Sequence, residues 1–216
     1  AKRALLSMVI ELSDAEKSGT LSDNDHVSFE SYTGKPGDEL TGEEVRALLI
    51  ESGEWTAIRQ RPYSRVAPVD GDISAIFITA ADTHPLAPSV DVVIDANQEA
   101  FQTGLRAIKK LTNGDVFLCA MQESNITSTD CKVEVFGGPH PAGTVGFHIH
   151  TLKPVNRKRS AWHIGYQDVV AIGHLLSTGK LYTDRIISLA GPAVKDPRLV
   201  KTRRGASTLA LTDGQL

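Results

Sequence analysis

The stretch from Glu51 to Val66, ESGEWTAIRQRPYSRV, brings cationic and flat aromatic side chains together. Guanidinium groups form charge-assisted hydrogen bonds with phosphate, carboxylate or carbonyl oxygens, and aromatic rings stack on planar ligands. The stretch therefore fits a phosphate site, a site for a planar ligand with carbonyl oxygens, or a solvated basic loop with one aromatic residue packed inward. The candidate binding residues are Trp55, Arg59, Arg61, Tyr63 and Arg65.

A second candidate site, Asp82-Thr83-His84-Pro85, directly follows the apolar run AIFITAA. Open α/β sheets bind ligands beyond the carboxyl ends of their strands, so Asp82 and His84 stand where a ligand is expected. The alternative is a proline-containing turn in which the aspartate bonds to nearby backbone. With Ser64 these residues also make a serine, histidine and aspartate set, but no G-x-S-x-G elbow is present to expose a nucleophile.

Three histidines, His140, His148 and His150, lie in GGPHPAGTVGFHIH. If HIH is extended, His148 and His150 point the same way, and three imidazoles can hold zinc. The alternative is that histidines in a loop rich in glycine and proline act only as hydrogen-bonding groups. No neighbouring cysteine completes a ligand set, so the prediction is no metal, with these histidines as the only candidates.

The two cysteines do not suggest a cluster or a nucleophile. Cys119 lies in the apolar run DVFLCAM, which predicts a small core residue. Cys119 and Cys131 match no iron–sulfur spacing, and a cluster usually needs four ligands. Two unpaired cysteines fit a reducing, cytosolic setting.

Glycine-rich phosphate loops are missing from the sequence. No G-x-G-x-x-G follows the run Ala75 to Ala81, and no G-x-x-x-x-G-K-[ST] occurs. Such loops bring backbone N–H groups close to a phosphate, so nucleotide binding is disfavoured.

Composition and charge are those of a globular protein with two unlike parts. The chain has 216 residues, of which 41% are apolar and 23% charged. Its apolar runs are far shorter than the roughly 20 residues of a membrane-spanning helix, and no signal peptide is predicted at its start. The net charge of −3 divides into +7 for residues 151–216 (11 Lys/Arg, 4 Asp/Glu) and −10 for the remainder (12 Lys/Arg, 22 Asp/Glu), which indicates different surroundings.

Capping and periodicity predict two helices early in the α/β part. The T-x-x-E box of Thr41 and Glu44 begins a helix, and Gly53 ends it. A second helix is predicted in DANQEAFQTGLRAIKKLTNG, with a cap between Asp95 and Gln98 and a stop at Asn113-Gly114. A third, YQDVVAIGHLLSTG, is predicted to end at Gly179.

Apolar runs predict the strands. They are ALLSMVIEL (residues 4–12), HVSFESY, AIFITAA, VDVVID, DVFLCAM, KVEVF, DRIISLAG and PRLVKTRRG. Strand and helix alternate at the spacing of βαβ units, so the fold class is α/β with a mainly parallel sheet.

Several long motifs resemble the NqrA family, which comprises one of the subunits of the bacterial sodium-translocating NADH:quinone reductase. They are SGEWTAIRQRPYSRV, GPHPAGTVGFHIH, HIGYQDVVAIGHLLSTG and LYTDRIISLAGPAVKDPRLVKTRRGAS. The likeness implies a Rossmann-like domain with flanking helices at 41–150, after the end of a β-rich domain and linker at 1–40. A helical connection at 151–182 and the start of a β-grasp, soluble-ligand-binding module at 183–216 would follow.

The family is also distantly similar to the flavin- and NADH-binding subunit of respiratory complex I. In that relative, the segment matching Ser52 to Arg65 is a run of glycines that cradles a flavin phosphate. Here only Ser52-Gly53 remains and bulky side chains replace the glycines. The strand end of that relative is acidic, whereas here it reads TAADTHPL. The resemblance therefore implies a scaffold that has lost flavin and NADH.

The resemblance implies a peripheral, non-flavin subunit on the cytoplasmic face of the bacterial inner membrane. Ubiquinone would be its substrate, with FAD, FMN, riboflavin and Fe–S centres in partner subunits, including membrane subunits, and no nucleic acid. At the sheet's carboxyl edge, we expect Arg59, Arg61, Tyr63 and Arg65 to contact the quinone or a neighbouring subunit, with Trp55 packed beneath them. The alternatives are a purely structural docking role in the same complex and an NADH/FMN-binding role of the complex I type.

Overall fold

The computed structural model describes residues 7–216. Within that range the helices are α1 (Asp14–Ser18), α2 (Gly42–Glu51), α3 (Val90–Asp95), α4 (Gln98–Lys109), α5 (Val145–Leu152), α6 (Tyr166–Thr178) and α7 (Thr208–Thr212). The strands are β1 (Arg59–Arg61), β2 (Arg65–Val66), β3 (Ala75–Ala80), β4 (Asp115–Met121), β5 (Lys132–Phe136), β6 (Ala161–Gly165), β7 (Asp184–Leu189) and β8 (Arg198–Arg203).

The described chain contains a six-stranded sheet and a small second one. The large sheet has the order β2-β1-β6-β3-β4-β5, and β7 and β8 form a separate antiparallel pair. Strands β6, β3, β4 and β5 are parallel, whereas the β1–β2 hairpin lies antiparallel against β6. This mixed α/β architecture with a mostly parallel sheet confirms the predicted fold class. We call the edge where the parallel strands begin the amino edge, and the opposite one the carboxyl edge.

Two apolar clusters cover the two faces of the large sheet. On one face, α2, α3, α4 and α6 pack around buried residues such as Ile76, Ile78, Phe101, Trp162 and Ile172. On the other face, here called the α5 face, the single helix α5 covers a smaller cluster that includes Phe77, Phe117, Cys119, Phe136 and Ile149. Cys119 is fully buried, as the sequence predicted, and burial raises its pKa to about 12.

Small residues allow α4 and α6 to cross at close range. A Cβ on Gly104 would overlap the Val169 carbonyl of α6, and a Cβ on Gly173 would overlap the Ala100 carbonyl of α4. The two helices therefore meet backbone to backbone at this crossing, which fixes α6 and with it the end of β6.

The predicted helix ends are partly confirmed. At α2, the Thr41 hydroxyl accepts from the Glu44 N–H at 3.2 Å and the Glu44 carboxylate accepts from the Thr41 N–H at 2.8 Å. Gly53 follows that helix with φ +81°, and Gly179 ends α6 with φ +71°, both left-handed positions that favour glycine. The predicted cap between Asp95 and Gln98 is wrong, because Asp95 ends α3, and α4 begins at Gln98 and ends at Lys109.

Three predicted strands are not found in the described range. VDVVID forms helix α3 and HVSFESY forms no strand, while HIH, considered above as an extended segment, lies within helix α5. Of the strand predicted at 4–12, residues 4–6 lie outside the described residues, and residues 7–12 are irregular and exposed. An apolar run of six residues suits a strand or a buried helical turn equally well, so only its partners decide between them.

Candidate functional site

The β1–β2 hairpin turns at the amino edge rather than at the carboxyl edge. Arg59 pairs with His163, and Arg61 with Ala161, the first residue of β6. The hairpin turn that follows therefore extends beyond the start of the parallel strands. The expectation that this loop lies at the carboxyl edge is wrong, because β1 runs against its parallel neighbours.

The hairpin distributes its side chains over both faces of the sheet. Arg59 and Arg61 alternate with Gln60 and lie on the α5 face, where Arg59 donates from Nε (3.1 Å) and Nη2 (2.6 Å) to the Ser64 carbonyl. Arg65 pairs with Gln60 and so shares the opposite face; its guanidinium lies 5.7 Å from the ring of the exposed Tyr63.

Trp55 is the aromatic residue that packs inward, but not beneath Arg59 and Arg61. It is 3% exposed and meets Trp162 edge to face at 5.6 Å. Its Nε1–H donates to the Ala67 carbonyl at 2.7 Å. Since Trp162 bonds to Gln60, both tryptophans belong to the face opposite the two arginines.

A cavity of about 170 Å³ separates β1 from α5 on the α5 face. Its lining residues are Arg61, Gly146, Ile149, His150, Pro154 and Val155. Among the described residues, neither the Arg61 guanidinium nor the His150 imidazole has a hydrogen-bond or ion-pair partner. The cavity thus offers two free polar groups between apolar walls.

His163, which the sequence did not single out, lies between Arg59 and Phe77 on the same face. Its Nε2 is buried without a partner in the described part of the chain. Burial, and then the positive charges of Arg61 and Arg59, lower the pKa of His163 to about 4. The imidazole is therefore neutral at pH 7.

Because the pKa of His163 is lowered on folding, the unfolded chain binds more protons than the folded one between about pH 6.5 and about 4. We expect the free energy of unfolding to fall as the pH is lowered through this window, and His163→Gln to reduce that fall. Urea denaturation at pH 7 and pH 5 measures it. The exposed His26→Gln is the control and should keep the wild-type fall; an equal fall in His163→Gln would contradict the assignment.

Asp82 and His84 occupy the carboxyl edge just after β3. Asp82 Oδ1 accepts from the His84 backbone N–H at 2.9 Å and lies 2.6 Å from His84 Nδ1, so the predicted aspartate turn is present. The ring of His140 lies 4.9 Å from that of His84, and its Nδ1 is 3.2 Å from Thr83 Oγ1. These residues form one polar group at the carboxyl edge.

The three candidate metal-binding histidines lie apart. His148 is fully buried and bonds through Nε2 to the Ala142 carbonyl at 2.8 Å; burial lowers its pKa. His150 is exposed beside the cavity, because residues two apart on helix α5 point in different directions. In residues 7–216, no group of three His, Cys, Asp or Glu side chains is placed to hold a metal ion.

Two ion pairs attach the β7–β8 hairpin at the carboxyl edge of the large sheet. Arg204 binds both carboxylate oxygens of Glu54, which is 3% exposed. Arg185 binds Asp168 in the first turn of α6, and burial raises the pKa of Asp168 in spite of that arginine. Sequence reasoning missed these partners, because Glu54 and Arg204 are 150 residues apart and a lone charged residue carries no signal of its partner.

The structure therefore separates the predicted site residues. Arg59, Arg61 and His150 lie on the α5 face, Trp55 and Arg65 on the opposite face, and Asp82 and His84 at the carboxyl edge. One small ligand cannot bridge Arg61 and Asp82, since the length of the strands lies between them.

Fold and site define a mixed α/β protein with a mostly parallel sheet and, in its sequence, no glycine-rich phosphate loop. Residues 40–181 match the family model described as "NqrA second alpha/beta domain", and residues 186–216 match "NQRA C-terminal domain". The chain belongs to the NqrA family.

Named relatives agree with this assignment. The chain is 46% identical to the NqrA protein of the Na(+)-translocating NADH-quinone reductase of Vibrio atlanticus (strain LGP32), and 45% identical to that of Shewanella amazonensis (strain ATCC BAA-1098 / SB2B). Each alignment covers 100% of this chain and 47% of the relative. The chain thus spans about half the length of these curated relatives.

A solved structure shares the fold at low sequence identity. The "NAD+-reducing [NiFe]-hydrogenase in the air-oxidized state" matches with a TM-score of 0.55 and 13% identity, over 84% of this chain and 41% of that one. At this identity the likeness concerns the fold alone. Among the helices of residues 7–216, none is long and apolar enough to cross a membrane.

Proposed function

We propose that this chain is the quinone-associated, non-flavin part of a peripheral subunit of the Na+-translocating NADH:ubiquinone oxidoreductase. It contributes to ubiquinone binding and reduction coupled to sodium export, and it is not catalytic alone. The names of relatives at 45–47% identity carry this proposal. FAD, FMN, riboflavin and Fe–S centres belong to partner subunits, and this chain holds no tightly bound cofactor of its own.

The finer fold assignment belongs to the same proposal. Residues 41–150 are the main part of a Rossmann-like domain that follows the end of a preceding β-rich domain and a linker at 1–40. Residues 151–182 connect it to the start of a β-grasp module at 183–216. The connection also supplies strand β6 to the large sheet and helix α6 to the core on one of its faces, so it and the Rossmann-like domain fold together.

The loss of nucleotide binding is supported by what fills the carboxyl edge. Ligands of open α/β sheets bind there, at the point where successive connections leave on opposite faces. In this structure the Glu54–Arg204 and Asp168–Arg185 pairs lie over the carboxyl edge, beside the neighbouring strands β3 and β6. With no glycine-rich loop, few backbone N–H groups are free to hold a phosphate.

Quinone binding is supported by the arginines on the α5 face. A quinone needs an apolar cleft for its ring and one or two donors for its carbonyl oxygens. Arg59 and Arg61 share that face with apolar α5 side chains. The carboxyl-edge group of Asp82 and His84 then serves in docking to other subunits, including membrane subunits, on the cytoplasmic face of the bacterial inner membrane.

The proposal predicts that the full-length subunit binds a short-tail ubiquinone and that Arg59→Ala/Arg61→Ala weakens binding about tenfold or more, because charged hydrogen bonds are lost. Tryptophan fluorescence through Trp55 and Trp162 follows the titration, with FMN and NADH as controls. Saturable quenching by FMN would contradict the non-flavin role. Unchanged quinone affinity together with unchanged complex assembly in the variant would contradict the role of the arginines.

A docking function is favoured by a separate observation. The turn at Asn156, whose side chain accepts from the backbone of Lys158 and Arg159, presents Arg157, Lys158 and Arg159 to solvent. If binding to the other subunits depends strongly on salt while quinone has no effect on fluorescence, the structural role is the correct one.

A further inference from the structure

We propose that the quinone head ring binds in the cavity between β1 and α5, with Arg61 and His150 as donors to its two carbonyl oxygens. This inference rests on the proposed function and adds to it a location, a second donor and a glycine that keeps the site open. His150, on helix α5, is brought to Arg61 only by the fold.

The size of the cavity suits one ring. Its volume is about 170 Å³, and a cavity of about 150 Å³ is known to hold benzene. There is no room for an isoprenoid tail as well, so the tail leaves through the open side. The walls formed by Ile149, Pro154 and Val155 provide the apolar contacts that a quinone ring requires.

The two polar groups of the cavity are available to a ligand. The guanidinium of the neighbouring Arg59 is bound to the Ser64 carbonyl, whereas Arg61 and His150 have no partner among the described residues. The carbonyl oxygens of a para-quinone lie at opposite ends of the ring, so two donors from different elements, β1 and α5, fit them better than two adjacent ones.

One side of helix α5 lines the cavity and includes a glycine. Gly146, Ile149 and His150 follow at i, i+3 and i+4 and so share one side of the helix. A Cβ on Gly146 would lie 3.7 Å from Arg61 Nη2, already in van der Waals contact with the guanidinium. A larger side chain at this position would therefore enter the cavity beside Arg61.

The charge around the cavity favours a ligand that gains electrons. Arg59 and Arg61 both lie on the α5 face, so two guanidinium groups give this face a positive potential. The exposed residues Arg157, Lys158 and Arg159 begin two positions after the lining residue Val155. Positive charge held in place stabilises negative charge that develops on quinone oxygens during reduction.

The test measures the affinity of the full-length subunit for short-tail ubiquinone by the same fluorescence titration. Gly146→Leu fills the cavity, and Arg61→Met and His150→Phe remove one donor each. We expect each to raise Kd by about tenfold. Arg65→Met, a matched change on the opposite face of the same hairpin, should stay within about twofold of wild type. Thermal unfolding identifies a variant that fails to fold, and the two donor variants remain decisive if Gly146→Leu does so.

The outcomes separate this inference from the function on which it rests. If wild-type protein does not bind quinone, both fail. If wild-type binds and the three cavity variants bind equally well, quinone binds elsewhere and only this inference fails. Inorganic phosphate at millimolar concentration serves as the competitor. Displacement of quinone by phosphate would identify an anion site instead. If the cavity binds an uncharged quinone ring, phosphate should leave the Kd for quinone unchanged.

Discussion

Gly173→Ala is expected to destabilise the protein by about 3 kcal/mol, although glycine to alanine within a helix ordinarily stabilises by roughly 1 kcal/mol. The new methyl group would overlap the Ala100 carbonyl of α4, which is backbone and cannot rotate away. Helices α4 and α6 must then separate, and contacts in the larger core weaken. Gly104→Ala should act in the same direction, because its Cβ would overlap the Val169 carbonyl.

Gly146→Ala provides the matched control for these variants. It is also a helical glycine, but its added Cβ would have only an ordinary contact at 3.7 Å, so we expect no loss and a gain of up to about 1 kcal/mol. Guanidinium denaturation measures all three. A stability of Gly173→Ala equal to that of Gly146→Ala would mean that the two helices do not meet at the distance described.

Arg204→Met is the second change with a large expected effect, a loss of about 3 kcal/mol of folding free energy. It leaves the Glu54 carboxylate, only 3% exposed, without the guanidinium that binds both its oxygens. An unpaired buried charge costs several kcal/mol, whereas its replacement by a neutral group relieves much of that cost. Glu54→Gln/Arg204→Met should therefore lose less than the sum of the two single variants.

Arg198→Met is the comparison for the arginine change. It lies on the same hairpin, but its ion pair with Asp196 is exposed, with the two side chains 41% and 74% accessible, and such pairs contribute little. We expect a change within about 0.5 kcal/mol. Chemical denaturation gives the energies, and amide exchange in β7 and β8 reports whether the hairpin loosens. Equal effects of Arg204→Met and Arg198→Met would show that Glu54 is solvated.

The α4–α6 crossing and the Glu54–Arg204 pair position the proposed functional surfaces. The crossing of α4 and α6 fixes the position of α6, the helix that follows β6. Strand β6 in turn pairs with β1 and so positions Arg59 and Arg61. The Glu54–Arg204 pair attaches the β7–β8 hairpin over the carboxyl edge. Loss of either should thus disturb docking or quinone binding indirectly, whereas the cavity variants lie away from both.

Local sequence patterns correctly predicted many of the helices and strands. The capping box at Thr41, the stop at Gly179 and the buried strands β3 and β4 depend on nearest neighbours and on continuous apolar runs. The absence of a phosphate loop and the presence of the family motifs could also be recognised without a structure, because each motif is a contiguous stretch of sequence. The mainly parallel sheet followed from the alternation of strands and helices.

Only the tertiary structure decided which face and which edge each candidate residue occupies. Strand β1 is antiparallel to β6, so Arg61 lies at the amino edge, whereas Asp82 lies at the carboxyl edge. The HIH segment is helical, so His148 is buried in the core whereas His150 lies beside Arg61 at the cavity. Strand direction and helix packing depend on partners far away in sequence, and for this reason no local pattern could place the cavity or join Glu54 to Arg204.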